Sequence, residues 1–256
     1  MKTKILFRKN LDTEEEFKIS QKYFDISESR VSLKDSLVIG RYSVLPYYQE
    51  LEKDLEILGS KLINSYEQHK YISDFEYYWD IEDLTPKTYF RLEDIPENGP
   101  FIVKGKTNSR KFAWNRLMFA ENRQRAIEIS CDLKTDSLIY LQDIIVRDFV
   151  KLNVLEEGIE GLPFSNEWRF FCFKDKILSY GFYWTISEKK GTIDALGVNL
   201  VETVIKRVKD KVNFFVIDIA QKADGDWIVI EMNDGQMSGL SGNDPEFLYS
   251  RLKEEI

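Results

Sequence analysis

The chain of 256 residues has one histidine, two cysteines and six prolines, and no apolar run approaches the length of a membrane span. Each scarcity excludes something. Cys131 and Cys172 lie far apart and match no metal-ligand spacing, so neither a disulfide framework nor a zinc site is on offer. Two such cysteines fit a reducing compartment, and each reads as a small core residue. The lone histidine, His69, lies in the polar stretch NSYEQHKY. An exposed helix residue is expected there, which sets histidine-based metal or triad chemistry aside. The opening MKTKILFRKN has three consecutive apolar residues, too few for the core of a secretory signal, so a cytoplasmic protein is expected. Positive charge is in deficit as well. A net charge of -8 repels nucleic acid over most of the surface, so any phosphate site must be local.

The chain does have apolar and aromatic side chains. At 43% hydrophobic and 14% aromatic it can bury a real core, which excludes disorder. Its length suits one large domain or two to three lobes sharing a cleft. Lys4–Arg8 and Leu37–Arg41 read as strands, Tyr47–Leu58 as a helix stopped by Gly59, Leu62–Ile63 as the start of a strand, and Gln68–Trp79 as a helix. That alternation predicts a small α/β lobe with a parallel sheet. Further on, Phe101–Lys106 and Leu138–Gln142 read as strands and Trp114–Ala120 as a helix, with a polar loop at Thr107–Lys111. Trp168–Phe173 and Ile177–Trp184 suggest an antiparallel hairpin, and Val198–Val208 a helix. Asn213–Ala220 and Trp227–Asn233 form a second hairpin around Ala223–Asp226, and Asp244–Lys253 a helix capped by Asp244 and Pro245.

The second hairpin is the most informative feature. If its loop is Ala223–Asp226, Asp218 sits directly opposite Glu231. Strand alternation then puts Val216, Asp218, Ala220, Val229, Glu231 and Asn233 on one face. Phe215, Ile217, Ile219, Ile228, Ile230 and Met232 fall on the other, as core. Opposed carboxylates about 5 Å apart at Cβ repel by about 3 kcal/mol at an effective dielectric near 20. Such a pair calls for a cation or a raised pKa, and with the Asn233 carbonyl it makes an all-oxygen set suited to magnesium or manganese. A register slipped by one residue leaves an ordinary hairpin with solvated acids.

A local reversal of charge complements this. From Asn98 to Ile127 the bases Lys104, Lys106, Arg110, Lys111, Arg116, Arg123 and Arg125 face one acid, Glu121. Lys104 and Lys106 share a strand face at i, i+2. The loop Gly105–Lys111 could close over polyphosphate, with Ser109 and backbone N–H groups as donors. A solvated basic face, or a nucleic-acid patch in which Phe112 and Trp114 stack bases, would use the same residues. Neither accounts for a separate acidic trio. A cationic clamp with an acidic metal site is what a magnesium–nucleotide site requires.

In this order the residues resemble the ATP-grasp superfamily, whose members include D-alanine–D-alanine ligase and the ribosomal-protein glutamate ligase. The resemblance spans nearly the whole chain. Val38–Ser65 is similar to the end of the family's first lobe, and Thr85–Phe90 (TPKTYF) to the start of its central lobe. Phe101–Trp114 (FIVKGKTNSRKFAW) resembles the lysine-bearing strand and phosphate loop, which implies that Lys104, Lys106 and Ser109 hold phosphates. Ile139–Ile145 (IYLQDII) resembles the adenine hinge, which implies Gln142, Asp143, Ile144 and Ile145 as base-binding residues. Asn166–Leu178 is similar to the strand whose arginine, here Arg169, neutralises the transferring phosphate. Ile217–Leu240 is the strongest match and aligns Asp218, Glu231 and Asn233 with the magnesium ligands. The usual glycine-rich loop is replaced by a segment with one glycine, similar to a clade of small bacterial and phage ATP-grasp proteins with unassigned substrates.

The resemblance implies an α/β (α+β) ATP-grasp fold with three lobes. These are an N-terminal α/β lobe at 1–80, a central lobe with the phosphate loop at 81–141, and a C-terminal lobe with the metal-binding hairpin at 142–256. It implies an ATP- and magnesium-dependent carboxylate–amine ligase working through an acyl phosphate. Arg169, Lys106, Arg110 and Lys111 would act on the reacting groups, and Arg110, Lys111 and Trp114 would bind the acceptor or close a lid. Gln236 and Ser238 would line the acceptor pocket or serve as plain loop residues. Partners would be ATP and a small-molecule, peptide or protein acceptor, with no membrane or nucleic acid. An ATP-binding assembly chaperone or adaptor, as in a distant eukaryotic relative, and a kinase-type phosphotransferase are the alternatives on the same fold.

Overall fold

The computed structural model describes residues 1–10, 13–41 and 47–256. Segment 42–46, inside the Val38–Ser65 stretch, lies outside the described residues. The chain opens with β1 (Lys2–Phe7), α1 (Glu14–Ser20), β2 (Asp25–Ser27), β3 (Ser36–Arg41), α2 (Tyr48–Ile57), β4 (Lys61–Leu62), α3 (Tyr66–Ser73) and α4 (Tyr78–Ile81). The strands form a parallel sheet in the order β2-β1-β3-β4. Alternation gives each face its own core, as a covered parallel sheet requires. Leu6 and Val38 pack with Tyr48, Leu51 and Leu55 of α2. Ile5, Phe7 and Ile39 pack against aromatic residues of the C-terminal lobe.

Gly59 ends α2 at φ +71, a conformation open to glycine at no steric cost. A capping box between Ser65 and Gln68 starts α3. The single helix expected over Gln68–Trp79 is instead two, because Phe75 turns to φ +66 and buries its ring against Tyr77, Tyr78 and Phe90. His69 is not exposed as expected. It is 6% accessible, stacked on Tyr48 at 4.1 Å, with Nδ1 3.1 Å from the Asp234 carboxylate.

The central lobe comprises β5 (Thr88–Tyr89), β6 (Asn98–Gly105), α5 (Trp114–Leu117), β7 (Phe119–Asn122), α6 (Arg123–Leu133) and β8 (Ile144–Asp148). Its antiparallel sheet runs β5-β8-β6-β7. The helix expected to reach Ala120 stops at Leu117, because Phe119 and Ala120 pair with β6. The strand expected at Leu138–Gln142 is a turn. Asp136 holds it, its carboxylate accepting from Leu138 N–H at 2.9 Å and its carbonyl from Ile139 and Tyr140 N–H. Because β8 completes this sheet, the lobe boundary expected at 141/142 falls ahead of a central-sheet strand. Cys131, expected in the core, is exposed, since α6 turns Ala126, Ile129, Ser130 and Leu133 inward instead.

The C-terminal lobe contains β9 (Val154–Glu157), β10 (Pro163–Ser165), β11 (Glu167–Phe173), β12 (Lys176–Phe182), α7 (Ala195–Val208), β13 (Phe214–Gln221), β14 (Trp227–Asp234) and α8 (Pro245–Glu255). The antiparallel sheet runs β12-β11-β13-β14. Val201, Val204, Ile205 and Val208 of α7 pack on Phe215, Ile217, Ile219, Val229 and Met232. Asp218 does pair with Glu231, but by a different route from the one expected. The loop is one residue shorter, with Lys222 N–H donating to the Asp226 carbonyl, and a bulge between Asp218 and Ile219 restores the pairing. Val229 consequently sits in the core rather than on the acidic face, and Ile230 is set beside Glu231 rather than in the core.

Candidate active site

The central and C-terminal sheets meet across a cleft, and charged residues form a row through it. Register places Arg169 of β11 beside Asp218 of β13, and Asp218 beside Glu231 of β14. Lys104 of β6 reaches from the opposite sheet to donate a short hydrogen bond to Glu231. Arg169 forks onto Asp218 at 2.9 and 2.7 Å, and its third nitrogen donates to the Gly239 carbonyl at 2.8 Å. Asn233 Nδ2 lies 3.5 Å from Asp218. The two adjacent carboxylates are therefore each neutralised, from different directions, by a cation nine-tenths buried. Burial opposes ionisation of Glu231, but Lys104, Lys111 and Arg169 outweigh it and hold its carboxyl well below the usual range.

A cavity of about 580 Å³ opens beside this row. Its polar lining includes Lys104, Ser109, Lys111, Glu167 and Glu231, and its apolar lining includes Ile102, Met118, Phe149, Val150, Leu162 and Ile230. Lys111 donates to the Tyr183 hydroxyl at 2.7 Å and lies 5.2 Å from the Trp184 ring centre. Glu167 Oε1 and Trp184 Nε1, two buried polar atoms of residues lining the cavity, have no hydrogen-bond partner among the described residues. Unsatisfied buried groups are rare in folded proteins, and here they leave hydrogen-bonding capacity unused. Burial pushes the Glu167 carboxyl up to about 7, against the pull of Lys111 and with the help of Asp218 and Glu231.

The remaining expected residues divide between the cavity and its supports. Arg110 does not line the cavity. It forks onto Asp136 at 2.8 and 2.6 Å. Lys106 pairs with Asp143 at 2.9 Å, and Gln142 Oε1 accepts from Thr107 and Asn108 N–H, each at 3.1 Å. These contacts pin the Gly105–Lys111 loop to the turn below it. A Cβ at Gly105 would meet Gln142 Oε1 at 2.6 Å, so a larger residue there would push that side chain off the loop N–H groups it accepts from. Ile144 and Ile145 line a separate pocket of about 360 Å³ with Lys106 and Asp143, and neither lines the large cavity. The segment that does line it, Asp148–Leu152, begins at the last residue of β8. Gln142, Asp143, Ile144 and Ile145, expected as base-binding residues, thus lie outside the large cavity.

Glu167 and Arg147 were also missed. The signal for Glu167 was present, since it lies two residues before Arg169 on the same strand and so on the same face. Arg147 donates to Thr88 Oγ1 at 3.1 Å and to the Ile230 carbonyl, tying the two sheets together.

A second cavity, of about 540 Å³, is lined by His69, Asp74, Lys106, Asn108, Asn233 and Asp234 among others. Ser238 also lines it, whereas Gln236 is fully buried and bonded to Gly40 N–H and the Tyr48 hydroxyl. Among the described residues no cluster of three or more His, Cys, Asp or Glu side chains could hold a metal, and the expected trio includes an amide.

Two antiparallel sheets gripping a lysine-lined cavity, with a parallel lobe in front, make an ATP-grasp fold. The chain belongs to the ATP-grasp domain, R2K clade family 3, whose family model matches residues 92–252. Among solved structures it resembles D-cycloserine synthetase DcsG, with a TM-score of 0.66 at 13% identity over 99% of this chain and 98% of that one. It also resembles a RimK domain ATP-grasp protein from Sphaerobacter thermophilus, with a TM-score of 0.57 at 12% identity over 98% and 99%. The ATP-grasp ligase PsnB, solved with a phosphomimetic variant of its minimal precursor, Mg and ADP, matches with a TM-score of 0.57 at 10% identity over 99% and 96%. No curated protein sequence matches the chain. Among the described residues, no helix is long and apolar enough to cross a membrane.

Proposed function

We propose that the protein is an ATP- and magnesium-dependent ligase that joins a carboxylate to an amine. One observation carries this reading. Lys104 and Glu231 pair at the wall of a cavity, Arg169 and Asp218 pair beside them, and part of the cavity lining is apolar and suits a flat ring. The base would lie against Ile102, Met118, Phe149 and Ile230. Lys104, Lys111 and Ser109 would take the phosphates, while Glu167 and Trp184 offer the unused hydrogen-bonding atoms.

The donor set Asp218, Glu231 and Asn233 is hard and all-oxygen, and it fits magnesium. Those three residues would hold the ion, which would supply positive charge against the phosphates. Lys104 and Arg169 partner the two carboxylates, so the charges of the buried row are matched, which is the condition for keeping charges in a cleft. Arg169 and Lys104 would then stabilise charge developing on the transferred phosphoryl group. Such chemistry runs on positioning and electrostatics and needs no protein nucleophile.

Calorimetry with ATP in the presence and absence of magnesium tests binding, and ADP release with carboxylates and amines tests turnover. Expected are magnesium-dependent binding and turnover that requires both co-substrates. Binding without turnover, alongside a stoichiometric protein partner, would instead indicate an adaptor. A stable phosphorylated product with no condensation would indicate a kinase.

A further inference from the structure

We propose that the second cavity seats the amine acceptor and that His69 is the base that receives its proton; this rests on the ligase reading. His69 Nδ1 faces Asp234 at 3.1 Å, and Asp234 is held in place by Asn64 Nδ2 at 3.0 Å and Gln236 N–H at 2.9 Å. A carboxylate on Nδ1 selects the tautomer whose Nε2 carries a lone pair. Among the described residues the His69 ring has one hydrogen bond, through Nδ1, and the residue lines the cavity. Tyr48, stacked against the ring at an interplanar angle of 10°, fixes its plane.

The two cavities draw on the same two segments. β14 gives Glu231 to the first cavity and Asn233 to the second. The loop after β6 gives Ser109 to the first and Thr107 and Asn108 to the second. A group bound in the second cavity therefore lies alongside the same strand and loop that flank the phosphate site. Its charge selects an ammonium. Asp74, Asp143 and Asp234 stand against Lys106, which is already paired with Asp143. The ionisable groups around His69 are Asp234 on β14, Tyr48 and Glu52 on α2, Lys70 and Glu67 on its own helix, and Asp74, Lys106 and Asp143 around the cavity.

In the step, the ammonium gives one proton to Nε2 and its lone pair attacks the acyl-phosphate carbon. The bond from that carbon to the phosphate oxygen breaks, its electron pair leaves with inorganic phosphate, and the second proton departs with the phosphate.

The test uses the full chain, magnesium, ATP and the proteinogenic L-amino acids, singly and in pairs, as probe carboxylates and amines, with ADP release as the readout. Hydroxylamine serves as an acceptor that is largely unprotonated at neutral pH. Wild-type silence in every mixture counts against the ligase and, with it, against any base. Where the wild type turns over, His69→Gln is expected to slow the amine-dependent reaction by about 10²-fold at pH 7. The loss should shrink as pH rises, and the hydroxylamine rate should stay near wild type. An unchanged amine rate, or equal loss of both rates with an unaltered pH profile, overturns the assignment. Because the chain has one histidine, ¹⁵N-histidine spectra of the unliganded wild type report His69 alone. A bare Nε2 is expected, and a protonated Nε2 in the neutral ring overturns the base.

Discussion

Lys104 and Glu231 belong to different sheets, and their buried ion pair is a direct side-chain bridge from the central lobe to the C-terminal lobe. Removing one partner leaves the other charge uncompensated away from water. Lys104→Ala should cost about 3–5 kcal/mol of stability, read by denaturant unfolding. The double variant Lys104→Met, Glu231→Leu should recover most of that loss, because an apolar pair no longer needs a partner. It should still fail to bind ATP with magnesium by calorimetry. Retained binding in the double variant would place the nucleotide elsewhere.

Glu167 carries a pH signature. Its carboxyl is pushed up from an ordinary 4.5 to about 7, chiefly by burial. Below about pH 4.5 the folded and unfolded states both hold the proton. Between about 4.5 and 7 only the folded state does, so stability falls as pH rises through that window and levels off above it. The loss amounts to about 3 kcal/mol. Glu167→Gln should flatten the profile and melt higher than wild type at pH 8, with the two converging near pH 4.5. Parallel melting curves across the range would contradict the assignment.

Arg110 forks onto Asp136 and so is placed to hold the loop. Arg110→Ala and Asp136→Asn should each weaken ATP binding by about tenfold, and the double variant should be no worse than either single, the mark of two residues acting through one contact. Calorimetry on the four proteins checks this. Additive losses would mean that Arg110 has a second role at the phosphates.

The two thiols should separate cleanly. Cys131 is exposed, whereas burial pushes the Cys172 thiol up and shields it in the core. A thiol reagent should label one cysteine at once in the native protein and the second only on unfolding. Rapid labelling of both would contradict the packing around Phe170 and Phe215.

Much of the fold was legible because periodicity is local. Tyr47–Leu58 and Val198–Val208 repeat apolar residues at helical spacing, and both are helices ending within a residue of the expected stop. The site was legible where charges were concentrated, as around Lys104 and along the second hairpin. What failed depended on distant partners. Leu138–Gln142 has the composition of a strand, but no strand among the described residues pairs with it, and Asp136 draws its N–H groups into a turn. His69 looked like a surface residue because its neighbours in sequence are polar. Its neighbours in space are Tyr48 and Asp234, the latter 165 positions away. The pairing of Asp218 with Glu231 was reached through a loop one residue too long, and the bulge cancelled the error.

That bulge has a consequence of its own. The ladder is in step on both sides of it, with Ile219 opposite Val229 and Asp218 opposite Glu231, so Ile230 is a supernumerary residue. Cutting it out would keep the hairpin in phase and the acid at its post, yet would take away one panel of the cavity and the carbonyl that Arg147 grips. One strand thus carries part of the charged row and of the apolar wall as separable fittings, and the shape of the recess can be retailored without disturbing the ionic end.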